Sequence, residues 1–95
     1  MTKADIVNDV SKKTGFTKVE VEILFDSILN SIKLSLADGE RVDMRGFGSF
    51  LVKRREARNT RNPATNEIFK LDTRYVPSFK VSKILKEYVN NNLVN

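Results

Sequence analysis

The stretch from Lys53 to Arg74 reads KRREARNTRNPATNEIFKLDTR, and the rest of the chain is organised around it. Its first nine residues hold five cations and one anion, and its last eight alternate apolar and polar side chains. A turn rich in proline and asparagine separates the two runs, which is typical of a β-hairpin. Because it has too few apolar residues to fold back as core, the stretch is predicted to be a long basic arm projecting from a small body.

A run of charge is most often a solvated face or a mobile loop, and two features favour a binding surface here instead. Four of the five cations in the first nine residues are arginines, whose forked guanidinium groups suit phosphate contacts better than lysine does. The second feature is Pro63, which places a rigid apolar ring at the tip of the hairpin. We interpret the arm as a surface for a partner.

The charge of the chain indicates what that partner is. The net charge is +5. Residues 53–80 alone carry +5, whereas residues 1–52 carry −1 and residues 81–95 carry +1. A basic segment on a nearly neutral body is typical of a protein that binds a polyanion.

Composition narrows the class of protein further. At 95 residues the chain is predicted to be one domain. It has no cysteine and no histidine, so it lacks disulfides, thiolate chemistry and the commonest general base and metal ligand. No apolar run has the length of a membrane span, and the N-terminus lacks the apolar core of a signal peptide. We expect a soluble intracellular protein with no membrane partner.

Two helices are predicted before the arm. Thr2 with Asp5, and Thr17 with Glu20, have the spacing of capping boxes. The first helix should end near Thr14, before a glycine that can adopt the left-handed conformation. The second should run from Lys18 to about Asp38 and stop at the glycine that follows.

The second helix is apolar on two sides. One wide stripe contains Val21, Leu24, Phe25, Ile28, Leu29, Ile32 and Leu36, and Val19, Ile23 and Leu34 lie roughly opposite. Such a helix is usually covered on both sides, either by the sheet alone or by a second copy of the chain. Without the arm only 73 residues remain, and a core of that size rarely supplies more than roughly 3–5 kcal/mol. The sequence therefore favours a dimer.

The remaining elements complete an α+β fold. Strands are predicted over residues 40–44 and 47–52, the latter running directly into the arm, and over residues 75–79, where Pro77 requires an edge or a bulge. Ser82 is predicted to cap a last helix that ends at residues 90–92, with residues 93–95 frayed. The parts of the single domain are then a helical dimerisation part (1–39), a three-stranded antiparallel sheet (40–80) with a long β-arm (53–74), and a C-terminal helix and tail (81–95).

The sequence has no pattern that indicates catalysis or nucleotide binding. The glycines of the run from Gly46 to Phe50 do not form a nucleotide-binding loop, because a strand rather than a helix follows them. We assign Phe47 and Phe50 to the core, whereas backbone N–H groups at Gly46, Gly48 and Ser49 can bind phosphate beside a basic arm. With no nucleophile–base pair and no metal constellation, we expect neither an enzyme nor a cofactor nor a small-molecule substrate.

Three motifs at this spacing resemble the bacterial HU/IHF family of DNA-bending proteins. They are GFGSF at residues 46–50, RNPAT at residues 61–65 preceded by Arg58, and VPSFK at residues 76–80. The resemblance covers nearly the whole chain, including both N-terminal helices. It implies an intertwined dimer, in which helices form the base, sheets form a saddle, and two arms wrap double-stranded DNA in the minor groove.

The resemblance also implies which residues meet DNA. Pro63 is implied to intercalate between base pairs. The DNA-binding residues that it implies are Lys3, Gly46, Gly48, Ser49, Lys53, Arg55, Arg58, Arg61, Asn62, Pro63, Lys80, Ser82, Lys83 and Lys86. The chain departs from the family pattern at four places. Lys53 stands where arginine is more frequent, and Asn66 replaces a turn glycine. Thr60 replaces a small residue, which leaves the local twist of the arm open. Before the last helix, Val81-Ser82 replaces the usual Ala-Gly or Pro-Gly, and Ser82 can still cap the helix.

The resemblance is closest to HU. It implies a histone-like protein of the cytoplasm and nucleoid that binds and bends duplex DNA with little sequence specificity, as a homodimer. One alternative is an IHF-like subunit that bends DNA at defined sites, with a heterodimer as its assembly. The other, from a different class, is an interaction module whose arm grips an acidic protein.

Overall fold

The computed structural model describes residues 1–94 and has the predicted element order. Its elements are helices α1 (Lys3–Thr14) and α2 (Lys18–Ala37), strands β1 (Val42–Met44), β2 (Gly48–Arg55), β3 (Arg58–Arg61), β4 (Ile68–Leu71) and β5 (Arg74–Val81), and helix α3 (Lys83–Val94). The chain divides into two compact units, one spanning Met1–Ser35 and the other beginning at Leu36. Each unit is described by itself below.

The helices of the first unit begin at the two predicted capping boxes. The Asp5 N–H donates to Thr2 Oγ1 at 3.3 Å while the Thr2 N–H donates to Asp5 Oδ2 at 2.9 Å. The Glu20 N–H likewise donates to Thr17 Oγ1 at 3.1 Å. These reciprocal bonds satisfy N–H groups that have no partner within the helix. Gly15 ends α1 at φ 82°, which confirms the predicted stop.

Helix α2 carries apolar side chains on two sides, as predicted. On one side Leu24 is 53% exposed and Ile28 56% exposed, and on the other Val19 and Ile23 are exposed to 68% and 60%. In residues 1–94 the only buried large hydrophobic side chains are Val7 and Val21. A single chain therefore leaves most of the apolar surface of α2 in contact with water.

The second unit contains a three-stranded antiparallel sheet in the order β1-β2-β5. Pro77 lies opposite Val52 in the edge strand β5, which confirms the position predicted from its missing N–H. Side chains alternate across the strands. One face carries apolar residues such as Phe50 and Phe79, and the other carries Ser49, Lys53, Arg55, Arg74 and Lys80.

Three aromatic rings cluster on the sheet, but they are not buried within one chain. The Phe79 ring lies 5.8 Å from the Phe47 ring and 5.0 Å from the Phe50 ring, between centroids. Nevertheless Phe47 is 53% exposed and Phe79 is 42% exposed, while Phe50 is half-buried. The prediction that Phe47 belongs to the core is wrong for a single chain, because a unit this small has too few residues to enclose a sheet face.

Helix α3 begins as predicted and runs further than predicted. The Leu85 N–H donates to Ser82 Oγ at 3.1 Å, which confirms Ser82 as the cap. The asparagine run does not end the helix, which continues through Val94. The side chain of Asn92 donates to the carbonyl of Tyr88 at 2.7 Å and so stays within the helical turn. Of the three residues predicted to be frayed, 93 and 94 are helical and Asn95 lies outside the described residues.

Candidate nucleic-acid interface

The arm is one continuous hairpin built from two ladders. The first, between β2 and β5, ends at the pair Arg55 and Arg74, and the second, between β3 and β4, begins at Arg58 and Leu71. Residues 56 and 57 on one side and 72 and 73 on the other separate the two ladders; we call these four residues the arm joint. Since each strand skips the same number of residues, the register is unchanged. Thr60 pairs with Phe69 in that register, so strand pairing continues without a glycine there.

The arm tip is held by hydrogen bonds that centre on Asn62. Its N–H donates to the carbonyl of Glu67 at 2.9 Å, and its carbonyl accepts from the Asn66 N–H at 2.7 Å. Its side-chain Oδ1 accepts from the Ala64 N–H at 2.9 Å, as in an Asx turn. Asn66 has φ 64°, a conformation that asparagine tolerates in place of glycine. The turn presents Pro63 exposed at its apex.

The two arginines near the tip lie on opposite faces of the arm. Strand alternation places Arg58 with Thr60, Phe69 and Leu71 on one face. Arg61 shares the other face with Asn59, Ile68 and Lys70. Both arginines are among the residues that the family resemblance implies as DNA contacts, and the sequence alone does not indicate that they point in opposite directions. The register instead gives the arm a cation toward each side, which suits an element that lies between two phosphate backbones.

At the base of the arm, neighbouring cations are also separated by alternation. Lys53 and Arg55 lie on the same face of the sheet as Lys80 and Arg74. Arg54 points to the other face and forms an ion pair with Glu56. Arg74 was not among the predicted DNA contacts. Its position opposite Arg55 follows from counting strand pairs back from the tip, which is the signal that would have found it.

A second basic surface surrounds the turn between β1 and β2. A concavity there is lined by two arginines that were not predicted as contacts, Arg41 and Arg45, and by six residues that were: Gly46, Gly48, Ser49, Lys80, Ser82 and Lys83. Gly46 is exposed with φ 81°, which a side chain would strain. The sequence signal for Arg45 was its place beside this turn. The signal for Arg41 was its spacing of two residues from Asp43, just before the edge strand β1.

The hydroxyl of Ser49 is engaged within this surface. Ser49 Oγ donates to Asp43 Oδ1 at 2.6 Å, and Arg41 Nε donates to the same oxygen at 2.8 Å. The hydrogen bond from Ser49, followed by that from Arg41, lowers the pKa of Asp43 below its usual value of 3.8. The carboxylate thus stays ionised and holds Ser49 in place.

Three other predicted contacts also have structural roles. Gly48 is buried, and a Cβ atom there would lie 2.6 Å from the carbonyl oxygen of Lys80 and meet the Phe79 ring. Ser82 caps α3 through its hydroxyl. Lys83 lies 3.9 Å from Glu87, a long contact one helical turn away. Lys80 and Lys86 are exposed.

Lys3, the predicted contact in the first unit, is paired with carboxylates of α2. Its Nζ lies 2.7 Å from Asp26 Oδ1 and 3.6 Å from Glu22 Oε1. The hydrogen bond to Asp26 raises the pKa of Lys3 above its usual value of 10.5. A phosphate that binds Lys3 would therefore compete with Asp26.

Residues 1–94 offer neither a metal-binding cluster nor a membrane-spanning helix. No group of three or more histidine, cysteine, aspartate or glutamate side chains is placed to hold a metal ion. None of the described helices combines the length and apolar character that a bilayer span requires.

Comparison with known proteins identifies the family. Residues 1–90 match the family described as bacterial DNA-binding protein. Integration host factor subunit beta of Marinobacter nauticus is 43% identical, covering 98% of this chain and 96% of its own. DNA-binding protein HU of Thermotoga maritima is 44% identical, covering 94% and 99%. The Anabaena HU–DNA cocrystal structure matches with a TM-score of 0.86 at 35% identity, covering 94% of this chain and 97% of that chain. On its fold, its arm and these matches, the chain belongs to the HU/IHF family of bacterial DNA-binding architectural proteins.

Proposed function

We propose that this protein binds and bends double-stranded DNA by laying its arms in the minor groove, with little sequence preference. The observation that carries the proposal is the arm itself. It is a hairpin in constant register with Arg58 and Arg61 on opposite faces and Pro63 exposed at the apex. Cations on both faces neutralise phosphates on both sides of a groove, and these contacts carry no sequence information.

Pro63 is assigned the role of wedge between base pairs. Its ring is rigid and apolar, and it has no N–H group to desolvate. Unstacking a base step costs about a few kcal/mol, which the extra contacts to a bent duplex offset. Lys53, Arg55 and Asn62 are assigned to the arm surface. Lys3, Gly46, Gly48, Ser49, Lys80, Ser82, Lys83 and Lys86 are assigned to phosphates along the flanking DNA.

The assembly that we propose is a homodimer. The support is the apolar surface of α2, where Ile23 and Ile28 are 60% and 56% exposed in one chain, together with the exposed Phe47. A second copy that covers these side chains supplies the core that a single chain lacks. DNA as the partner places the protein at the nucleoid, in the cytoplasm.

A second candidate function is that of an IHF-like subunit acting at defined sites, with a heterodimer as its assembly. The observation in its favour is the match to an integration host factor subunit at 43% identity, nearly equal to the 44% match to an HU protein. The two candidates share the arm, the wedge and the fold, and they differ in whether DNA sequence changes the affinity.

Gel shifts with intact, nicked and random-sequence duplexes test the proposal. We expect similar affinity for unrelated sequences, tighter binding to nicked duplex, and affinity that falls by about 0.9 log units per log unit of salt for each phosphate neutralised. A preference for one sequence of tenfold or more would favour the IHF-like candidate. Binding that heparin displaces but that shows no dependence on DNA length would overturn both in favour of an acidic protein partner.

A further inference from the structure

The arm joint brings three arginines together. Arg55, Glu56, Arg58 and Arg74 line a cleft of about 450 Å³ at the point where the ladder is interrupted. Arg55 and Arg74 are directly opposite each other at the end of the β2–β5 ladder, so their Cβ atoms are about 5 Å apart. Arg58 enters from the far side of the joint, as the first residue of β3.

This arrangement is unfavourable in the free chain. Like charges placed directly opposite in an antiparallel pair destabilise the sheet. Glu56, the one acid that lines the cleft, forms its ion pair with Arg54, two residues before it and outside the cleft lining. No carboxylate among residues 1–94 lies within ion-pair distance of Arg55, Arg58 or Arg74. Three guanidinium groups thus share a cleft whose one carboxylate, Glu56, is paired with Arg54 and forms no ion pair with any of the three.

We propose that Arg55, Arg58 and Arg74 form one anion site, which takes a single phosphate group at the arm joint. Each guanidinium has five N–H donors in a planar fork that matches the oxygens of a phosphate. A phosphate that bridges them removes the repulsion between Arg55 and Arg74. It also links β2 and β5 to β3 across the interrupted ladder, so that binding stiffens the arm. The inference rests on the proposed function for the source of this phosphate, the DNA backbone; a free phosphate ion offers the same chemistry.

Double-substitution analysis of DNA affinity tests whether the arginines act as one site. The variants are Arg55→Ala, Arg74→Ala and their combination, with Lys70→Ala as the matched control, since Lys70 is an arm cation outside the cleft. We expect Arg74→Ala to weaken binding by roughly tenfold, as loss of a charge-assisted contact does. If each single substitution weakens DNA affinity by some factor, the Arg55–Arg74 double variant should weaken it by at least about threefold less than the product of the two factors. The effects of residues that share a ligand are not additive.

The combination of Lys70→Ala with Arg74→Ala is the control, because it also removes two cations from the arm but only one of them from the cleft. Lys70→Ala combined with Arg74→Ala should lose the full product, since the two side chains are four residues apart along the arm and about 13 Å distant. Arg74→Lys should recover the salt slope of the parent and only part of its affinity, because the charge returns without the fork. If the Arg55–Arg74 combination is as additive as the control combination, the shared site is overturned.

A second measurement does not depend on DNA. Inorganic phosphate, added at constant ionic strength, should shift the side-chain Nε–H NMR signals of Arg55, Arg58 and Arg74 together. The signal of Arg54, which points to the other face, should shift less. Equal shifts at all four arginines, or none, would overturn the site. If the parent protein fails to bind duplex while the three signals respond to phosphate, the proposed function fails and the anion site stands, with free phosphate as its ligand.

Discussion

Pro63 is exposed at the apex of the turn, and the wedge role that we propose for it depends on its ring. Pro63→Ala removes that ring, while the hydrogen bonds that Asn62 makes to Ala64, Asn66 and Glu67 remain available. We expect the variant to bend DNA less, measured by energy transfer between duplex ends, and to lose most of the preference for nicked duplex. Its salt slope should change little, because no charge is lost.

Ala64→Ser is the matched control, because it changes the neighbouring tip residue and keeps the proline. It should bend DNA as the parent does. If Pro63→Ala bends DNA as well as Ala64→Ser and keeps the full preference for nicked duplex, Pro63 only shapes the turn.

The ion pair between Lys3 and Asp26 leads to a second prediction about a single residue. Asp26→Asn frees Lys3 from its shorter contact, 2.7 Å against 3.6 Å to Glu22. If Lys3 meets phosphate, the affinity of this variant for DNA should rise, and Glu22→Gln should raise it less. Unchanged affinity in both variants, measured in the same salt, would remove Lys3 from the interface.

Because the pKa of Lys3 is raised, we expect its contribution to the stability of the fold to disappear at high pH. A group whose pKa is higher in the folded state stabilises the fold fully below its unfolded value, near 10.5, and loses that contribution as pH rises through the folded pKa. Lys3→Met should therefore reduce stability to denaturant at neutral pH and have no effect above the raised pKa. A loss of stability that persists there would show that the effect does not depend on the charge of Lys3, and it would point to the position of its side chain over Phe25, where Nζ lies 6.0 Å from the ring centroid.

At the scale of the element, cations on the two faces of the arm should contribute independently to DNA affinity. Arg61→Ala should reduce the slope of log affinity against log salt by about 0.9, and Arg58→Ala should reduce it by less, because Arg55 and Arg74 still neutralise the phosphate that Arg58 shares with them. Because the side chains lie on opposite faces, their effects should add in the double variant. Arg54→Ala is the control, since Arg54 is paired with Glu56 and should reduce the slope less. A variant that changes sequence preference and leaves the slope intact would indicate base reading instead.

Elements were predicted best where their signals are local. The caps at Thr2, Thr17 and Ser82 lie within three residues of their partners, so the sequence contains both halves of each interaction. The arm joint has no such signal, because an interrupted ladder depends on how two strands pair across the hairpin. The engagement of Lys3 by Asp26 was equally out of reach, since it joins residues in different helices. The prediction that α3 ends at the asparagines of residues 90–92 was wrong, because asparagine is more often found at helix ends than inside helices.

At the scale of the molecule, the small buried core predicts that folding and association are coupled. With Val7 and Val21 the only buried large hydrophobic residues described, a lone chain has little to offset its loss of conformational entropy. Sedimentation at micromolar concentration should give twice the chain mass, and thermal stability should rise with protein concentration. A compact, stable species of one chain mass would contradict the dimer.

We expect the aromatic cluster of Phe47, Phe50 and Phe79 to contribute much of the stability of the dimer. Phe79→Ala removes contacts to both Phe47 and Phe50 and should cost about 3–5 kcal/mol if the dimer buries the cluster. Phe69→Ala, the same change in the arm, should cost less than about 1 kcal/mol. Equal losses in urea unfolding would show that the cluster is not a core.

The uncovered apolar surface of α2 also has a consequence for abundance in the cell. A newly made subunit that has not met its partner exposes Ile23, Leu24, Ile28 and Leu29, and its open forms are substrates for proteases and chaperones. We expect subunits synthesised in excess to be degraded faster than assembled ones. Such turnover would set a lower limit on the concentration at which this protein accumulates, and it would balance subunit levels if two different chains assemble.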